Sequence, residues 1–462
     1  MKFDFVIVGS GPAGSILSDE LSKKGFNIAL IDRANNNSPQ RINHFFCPYI
    51  NKTPSYYTPL FSNVMGGNSL LWHSKVYLLS KLELSSYNWF IDYEELKKYS
   101  NILSKKLKIN KSLITKHEKK NNMFYRYSYR ANFQDIYDYL KIKKNNKIKV
   151  FRGYSPTKLH IKNNNVKKII IKNVKQEKKY VYIKHDLIFC CGGLGNPHIL
   201  LNLLKKKNKN LGKFLSDHPH INLGKIKVSE LLKFKKILKP NIKLNLKIKT
   251  NEAALIFKIK KCFCGVQLDY KLDPMRQMIR FFIRIKNLEI RMFLNLFSFF
   301  VRKINGLFHM IGFFFKRYYK YSFEFFFSQR PNIRNKIYLT NKFDKFGLKK
   351  INIQWDLQKE DLKNYIKLIE KSSKNKKILI NKDDFQNNFY KNGLSGQHPS
   401  CTTKIGKNDK DGVVNKDLKL FGYKNMYVVG SSVFPFIGYT NPTWTIMTLA
   451  LRLAKRLIKV RN

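Results

Sequence analysis

The chain begins with an apolar run at 4–8 (DFVIV). After a glycine turn comes a stretch at 12–24 with apolar residues at helical spacing, then a second apolar run at 27–31 (NIALI). Short unbroken apolar runs fit buried strands, and a 3.6-residue period fits a helix. A strand, a helix ended by Gly25 and a second strand are therefore predicted, which together make a βαβ unit. Asn35-Asn36-Asn37-Ser38-Pro39 breaks the pattern and opens a loop-rich stretch that runs to Gly66. A helix is predicted around 89–107, where Asp92, Glu94 and Glu95 lead and lysines close, as the helix dipole favours.

Further along, 148–151, 159–161, 168–171 and 180–183 read as short strands of a meander, separated by Lys/Asn turns. A buried strand at 187–190 then precedes Gly192, Gly193 and Gly195, with a helix expected from Pro197. Residues 226–394 differ in texture, being Lys-rich and alternating, with an aromatic and basic stretch at about 276–327. Its uncharged runs are shorter than the ~18 residues a membrane span needs. Arg280, Arg284, Arg291, Arg302, Lys303 and Arg317 interrupt its Phe, Ile and Leu residues. That pattern leaves two readings, an amphipathic helix lying on a membrane surface or a helix packed on the protein, for instance over an active-site entrance.

Composition narrows the class. The 462 residues allow two or three domains, and 43% hydrophobic with 14% aromatic residues excludes a disordered chain. The 89 Lys and Arg against 30 Asp and Glu give a formal charge of +59. Such a charge first suggests nucleic acid or an anionic membrane. Yet lysine is spread from Lys2 to Lys459 among Asn, Ile, Phe and Tyr, residues with A/T-rich codons, so compositional bias accounts for it first and a membrane surface second. No zinc finger, basic heptad or aromatic RNA-binding motif is present, and nucleic acid is not an expected partner. Six irregularly spaced cysteines (Cys47, Cys190, Cys191, Cys262, Cys264 and Cys401) give neither a disulfide framework nor a metal site. With no signal-peptide pattern at MKFDFVIVGSG, a cytoplasmic chain is expected, with peripheral contact at the inner membrane face through 276–327 as its extension.

The chemistry starts at Gly9-Ser10-Gly11-Pro12-Ala13-Gly14, a G-x-G-x-x-G between a strand and a helix, with Asp32 ending the next strand and Arg33 following it. Glycines there allow a tight turn, close approach to a pyrophosphate and close helix packing, while the helix N-terminus attracts negative charge and Asp32 accepts from a ribose hydroxyl. The glycines alone do not choose between NAD and FAD.

Four further groups of segments choose. They are Gly66-Gly67-Asn68-Ser69-Leu70-Leu71-Trp72 with Trp89-Phe90-Ile91-Asp92, then Cys190-Cys191-Gly192-Gly193-Leu194-Gly195-Asn196-Pro197 with the Ser216-Asp217-His218-Pro219 turn. Gln329-Arg330-Pro331-Asn332 follows, and the C-terminal part carries His398 to Ile405, Gly430-Ser431-Ser432-Val433-Phe434-Pro435 and Asn441-Pro442-Thr443-Trp444. In this order they resemble the glucose-methanol-choline family of FAD-dependent oxidoreductases, most of all its bacterial sugar and polyol dehydrogenase branch. The likeness is weakest between about 226 and 320.

The resemblance implies an α/β fold with a discontinuous Rossmann-like FAD-binding domain, of the p-hydroxybenzoate-hydroxylase-like kind, and a substrate domain of a sheet with helices. Residues 1–75, 130–225 and 395–462 would form the FAD domain, 76–129 a cap and helical connection, and 226–394 the substrate domain. Gly9, Gly11, Pro12, Ala13, Gly14, Asp32 and Arg33 would hold the ADP half of FAD, with Gly192 and Gly193 near the diphosphate. Gly67, Asn68 and Ser69 would pass the isoalloxazine, and Gly430, Ser431, Pro442 and Thr443 would close it from the other side. His398 stands at the family's active-site histidine and Asn441 at its partner.

The implied reaction is oxidation of a CH–OH group of a sugar, polyol or related alcohol by hydride transfer to flavin N5. His398 would serve as general base and Asn441 as a hydrogen-bond donor to the alkoxide. The electron acceptor stays open among oxygen, a quinone and a protein. A desaturase or amine oxidase, or an inactive membrane-surface binding protein, are the alternatives. Leu71 stands where covalently flavinylated members carry histidine, so non-covalent FAD is expected. Cys401 replaces a family glycine, and Pro156 removes a donor near the adenine position. His218 is expected to be structural, His73 to lie near flavin or substrate, and His44, His160, His198, His220 and His309 to have no defined task.

Overall fold

The computed structural model describes residues 1–35, 49–54, 57, 59, 62–70, 72, 75–109, 116–120, 123–131, 135–223, 252–269, 322–374 and 398–461. The first apolar run forms the strand Lys2–Val8, the glycine turn opens the helix Pro12–Ser22, and the second run forms Ile28–Asp32. All three are almost wholly buried, the condition under which strands read as continuous apolar runs. In the main sheet these strands lie in the order Ile148–Arg152, Ile28–Asp32, Lys2–Val8, Lys178–Phe189, Asn165–Asn173 and Tyr154–Lys162. The pairs on the Ile148–Arg152 side are parallel, so the strand at 148–151, expected to begin the meander, lies instead on the opposite edge of the sheet beside Ile28–Asp32, and the meander is made of the three strands from Tyr154 to Phe189 alone.

Two expected strands, at 180–183 and 187–190, are one strand of twelve residues, Lys178–Phe189. Its first half pairs antiparallel with Asn165–Asn173, and its second half pairs parallel with Met426–Val428. The Lys-His-Asp at 184–186 reads as a break by polarity alone. It is tied down instead, because the buried Asp186 carboxylate accepts two bonds from the Arg461 guanidinium, at 2.8 and 3.0 Å.

A second sheet is antiparallel, in the order His220–Leu223, Ser322–Phe327, Cys262–Asp269, Glu252–Ile259, Met123–Arg130 and Lys75–Val76, with Lys116–Lys120 beside Met123–Arg130. The stretch 76–129, expected as a helical connection, therefore supplies strands as well as the helix Tyr93–Lys106. That helix starts on Asp92, whose carboxylate accepts from the Glu94 and Glu95 backbone N–H groups. A third, small sheet joins Lys336–Phe343, Lys349–Gln354 and Ile50–Lys52. The helix Thr443–Arg461 packs on Pro12–Ser22 and on Tyr93–Lys106. Among the described residues no helix is long and apolar enough to cross a membrane. Residues 276–321 of the basic aromatic stretch lie outside the described residues.

Candidate active site

Chain segments far apart in sequence meet at one cleft. It is lined by Gly9, Gly11, Pro12 and Ala13 of the first glycine turn, Asp32 and Arg33 after the second strand, and Gly67 and Asn68. Gly192 and Gly193, then His398, then Gly430 and Ser431, and finally Pro442 and Thr443 complete it. Gly14 and Ser69, expected at the cofactor, do not line the cleft. A Cβ on Gly14 would stand 1.8 Å from the Gly9 carbonyl oxygen, so this glycine lets helix and turn touch. Ser69 is buried and donates to the Gly66 carbonyl at 2.7 Å, shaping the loop from behind.

Three helices, starting at Pro12, Gly192 and Thr443, present N-terminal turns to this cleft, an arrangement that attracts an anionic group such as a diphosphate. The second helix starts at Gly192, five residues before the expected Pro197. Pro197 has no N–H for the Gly193 carbonyl, and the Thr402 hydroxyl donates there instead, at 2.6 Å. The same glycine carries a steric constraint, since a Cβ on Gly193 would lie 1.8 Å from the Pro399 carbonyl oxygen. One backbone contact thus joins the glycine turn to the residue after His398.

The Asp32 carboxylate accepts from Ser10 N and Oγ, both at 2.7 Å, and from Ala34 N at 2.8 Å, so its aim is fixed at the cleft wall. Arg33 lines the cleft but is engaged elsewhere. Its Nε donates to Ser155 Oγ at 3.0 Å, its Nη1 pairs with Asp344 at 3.2 Å, and it lies over the rings of Tyr49 and Phe346. Tyr49 stacks on His198 at 4.6 Å, and both line the cleft. The His198 Nε2 meets the Lys349 carbonyl at 3.0 Å, and its Nδ1 has no hydrogen-bond partner among the described residues. Burial, and then Arg33, push His198 well below the usual histidine range, so it is neutral. A fixed carboxylate, three helix N-termini and an orphaned buried nitrogen on one cleft fit a dinucleotide such as FAD.

His398 follows from two anchors. Its backbone N–H donates to both oxygens of the buried Asp217, at 3.1 and 3.3 Å, and the next carbonyl, of Pro399, accepts from Ser431 Oγ at 2.7 Å. Its Nε2 lies 3.5 Å from the Asn441 amide nitrogen. The expected pair is thus brought together across 43 positions of chain. Cys401 adopts φ +70°, the left-handed region that favours glycine, and burial pushes its thiol up to about 12.

His218, expected to be structural, and His220, expected to have no defined task, both lie beside His398. The sequence gives them no role at the reaction centre, yet the His218 ring stacks on His398 with centroids 4.4 Å apart and 15° between planes, and His220 Nε2 lies 2.7 Å from His218 Nδ1. Their spacing along the chain from His398 hides a cluster whose ring nitrogens lie within 4.8 Å of one another. Tyr49, Tyr154 and His198 were also missed as cleft residues, while Pro156 does line the cleft. Asn196 was missed as the link between turns. It accepts from Cys191 N at 2.7 Å and donates to Val429 O and Ser432 Oγ. Its place directly after Gly195 was the available signal. Leu71, His44, His73, His309 and Cys47 lie outside the described residues.

Residues 331–450 match the profile of the family described as GMC oxidoreductase, and residues 2–43 match that of an FAD binding domain. No curated protein matches the chain by sequence. Among solved structures, pyridoxine 4-oxidase from Mesorbium loti is similar at 13% identity and TM-score 0.63, over 98% of each chain. The formate oxidase of Aspergillus oryzae RIB40, in a structure addressing FAD modification, is similar at 13% identity and TM-score 0.61, over 100% of this chain and 98% of the other. An FAD-dependent oxidoreductase from Chaetomium thermophilum is similar at 13% identity and TM-score 0.66, over 99% of each.

Proposed function

We propose a function from the premise that this chain is a glucose-methanol-choline (GMC) oxidoreductase and binds FAD: it oxidises the CH–OH group of an alcohol, with sugars, polyols and saccharide-containing molecules as the substrate class. The observation that carries the reading is the His398–Asn441 pair, 3.5 Å apart, with His398 on the wall of the cleft that bears the glycine turns. A pyridoxine 4-oxidase and a formate oxidase among the similar structures agree with oxidation at small oxygenated carbon centres.

When bound, FAD supplies a hydride acceptor at N5. The protein's own share is proton handling and placement. His398 takes the hydroxyl proton on Nε2, a nitrogen that accepts when the ring is neutral. Asn441 donates to the oxygen as negative charge develops there, and an amide does this without competing for the proton. The backbone ties from Asp217 and Ser431 on either side of His398 fix the direction from which the proton leaves. Gly9, Gly11, Gly192 and Gly193 would hold the diphosphate at the helix N-termini, and Asp32 the ribose. The flavin is held without a covalent bond, since residue 71 is leucine and offers no nucleophile.

The test is anaerobic mixing of the FAD-loaded protein with a panel of sugars, polyols and simple alcohols. His398→Ala is expected to retain FAD while flavin bleaching slows by about 10²- to 10⁴-fold; bleaching at the wild-type rate would remove His398 from the mechanism. Acid precipitation should release all the flavin into the supernatant.

A further inference from the structure

We propose that His218 is a positioning residue for His398, the two stacked rings sharing one positive charge so that His398 meets substrate unprotonated. His220 shares one hydrogen with His218 Nδ1 and so couples the tautomers of the two rings. The inference deepens the reading of His398 as the base and rests on it.

The geometry is that of a ladder. His218 is 1% exposed and His220 5%, so little water separates their charges from His398. With ring centroids 4.4 Å apart, protonating both His398 and His218 places two like charges face to face in a poorly solvated site, an arrangement that costs far more than protonating one. The 2.7 Å contact between His220 Nε2 and His218 Nδ1 requires a single hydrogen between those nitrogens. His220 is itself held edge-on to Phe326 at 4.4 Å.

The surrounding charges support a single proton. Among the described residues the carboxylate seen against the cluster is Asp217, which accepts from the backbone N–H of both His218 and His398 and from the Tyr57 hydroxyl at 3.3 Å. Tyr57 and the Cys401 thiol are both raised by burial and stay neutral. Asn441 and Gln329, the latter accepting from Asp217 N–H at 2.9 Å, carry no charge. Asp217 thus sets one carboxylate against the stacked pair of His218 and His398.

The same atoms do not make a chelate. Imidazole lone pairs lie in the ring plane, and near-parallel planes send those of His218 and His398 side by side instead of onto a common point. His218 therefore acts as the alternative seat for the proton. At mildly acidic pH the charge resides next to Asp217, and His398 is left able to accept.

The experiment is histidine-ring NMR on FAD-loaded protein labelled at histidine Cε1, with signals assigned through His398→Gln and His218→Gln. In wild type the His398 signal is expected to titrate in two steps. In His218→Phe, which keeps a stacked ring, and in His218→Gln, one step is expected, raised by roughly 1 pH unit, with the acid limb of anaerobic flavin reduction moving the same way. Flavin absorbance and thermal unfolding establish that each variant is folded. A single one-proton step for His398 in wild type overturns the proposal, even if neither variant folds. So does an unchanged midpoint in a folded variant. Normal flavin reduction by His398→Ala overturns the base assignment instead, and the ring titration still reports whether the stack is coupled.

Discussion

Cys401 shows how one side chain departs from an expected type while its backbone keeps the shape that type dictates. A non-glycine residue at φ +70° costs about 1 kcal/mol, because Cβ crowds the following carbonyl. The strand-like ties around it hold it there, with Cys401 N to Ser431 O at 3.1 Å and Ser400 N to Ser216 O at 2.9 Å. Cys401→Val, with a branched Cβ, is expected to lose about 2 kcal/mol in urea unfolding. Cys401→Gly should stay within about 1 kcal/mol of wild type and keep its rate of flavin reduction. A valine variant as stable as wild type would mean that the conformation is not strained. The odd residue was legible in the chain, and so was the nearness of His398 and Asn441. His218 was visible too, but its task was not, because a stack between rings 180 positions apart follows from the fold and leaves no local pattern.

At the level of elements, the N-terminal βαβ unit was legible because its strands are buried on both faces and its helix starts on a glycine turn. Polarity misled where a partner neutralises it. Asp186 split one long strand into two on paper because Arg461, its ion-pair partner, is distant in sequence. The contact between helices shows the same physics. Lys106 of Tyr93–Lys106 reaches Asp19 and also Glu20 at 2.5 Å, while Lys455 of the helix Thr443–Arg461 reaches Glu20 at 2.7 Å. Burial alone raises Glu20, but the two ammonium groups outweigh it and hold its carboxyl below the usual range. A carboxyl with a depressed folded value contributes stability above its unfolded value of 4.5 and loses that contribution as pH falls through the folded value. Glu20→Gln is therefore expected to cost about 2 kcal/mol at pH 7. The gap should narrow in denaturant titrations as pH is taken down from 4.5 through the depressed folded value. A gap that keeps its size over that range would assign the loss to packing.

Across the whole molecule, the cleft is an assembly of chain stretches that share few other duties. Gly9, Asp32, Gly193, His398 and Pro442 come from distant parts of the sequence. A ligand that touches all of them stabilises the folded state by mass action, on the order of 4 kcal/mol at a thousandfold excess over Kd. Stripping FAD is expected to lower Tm by several degrees and to speed proteolytic nicking, and added FAD should restore both. An apoprotein as stable as the loaded form would show that the stretches hold one another without it. The +59 charge, by contrast, says nothing about fold.

The second half of the strand Lys178–Phe189 waits for Met426–Val428 before its edge beyond Asn165–Asn173 is covered, and Pro12–Ser22 waits for Thr443–Arg461. While the ribosome is still making the intervening residues, nearly half of the nascent polypeptide carries an unfinished sheet with an open hydrogen-bonding rim. Closure between such distant partners is slow, and exposed rims pair with other chains. Chaperone supply should therefore govern the yield of this flavoprotein in a heterologous host more than inducer strength does.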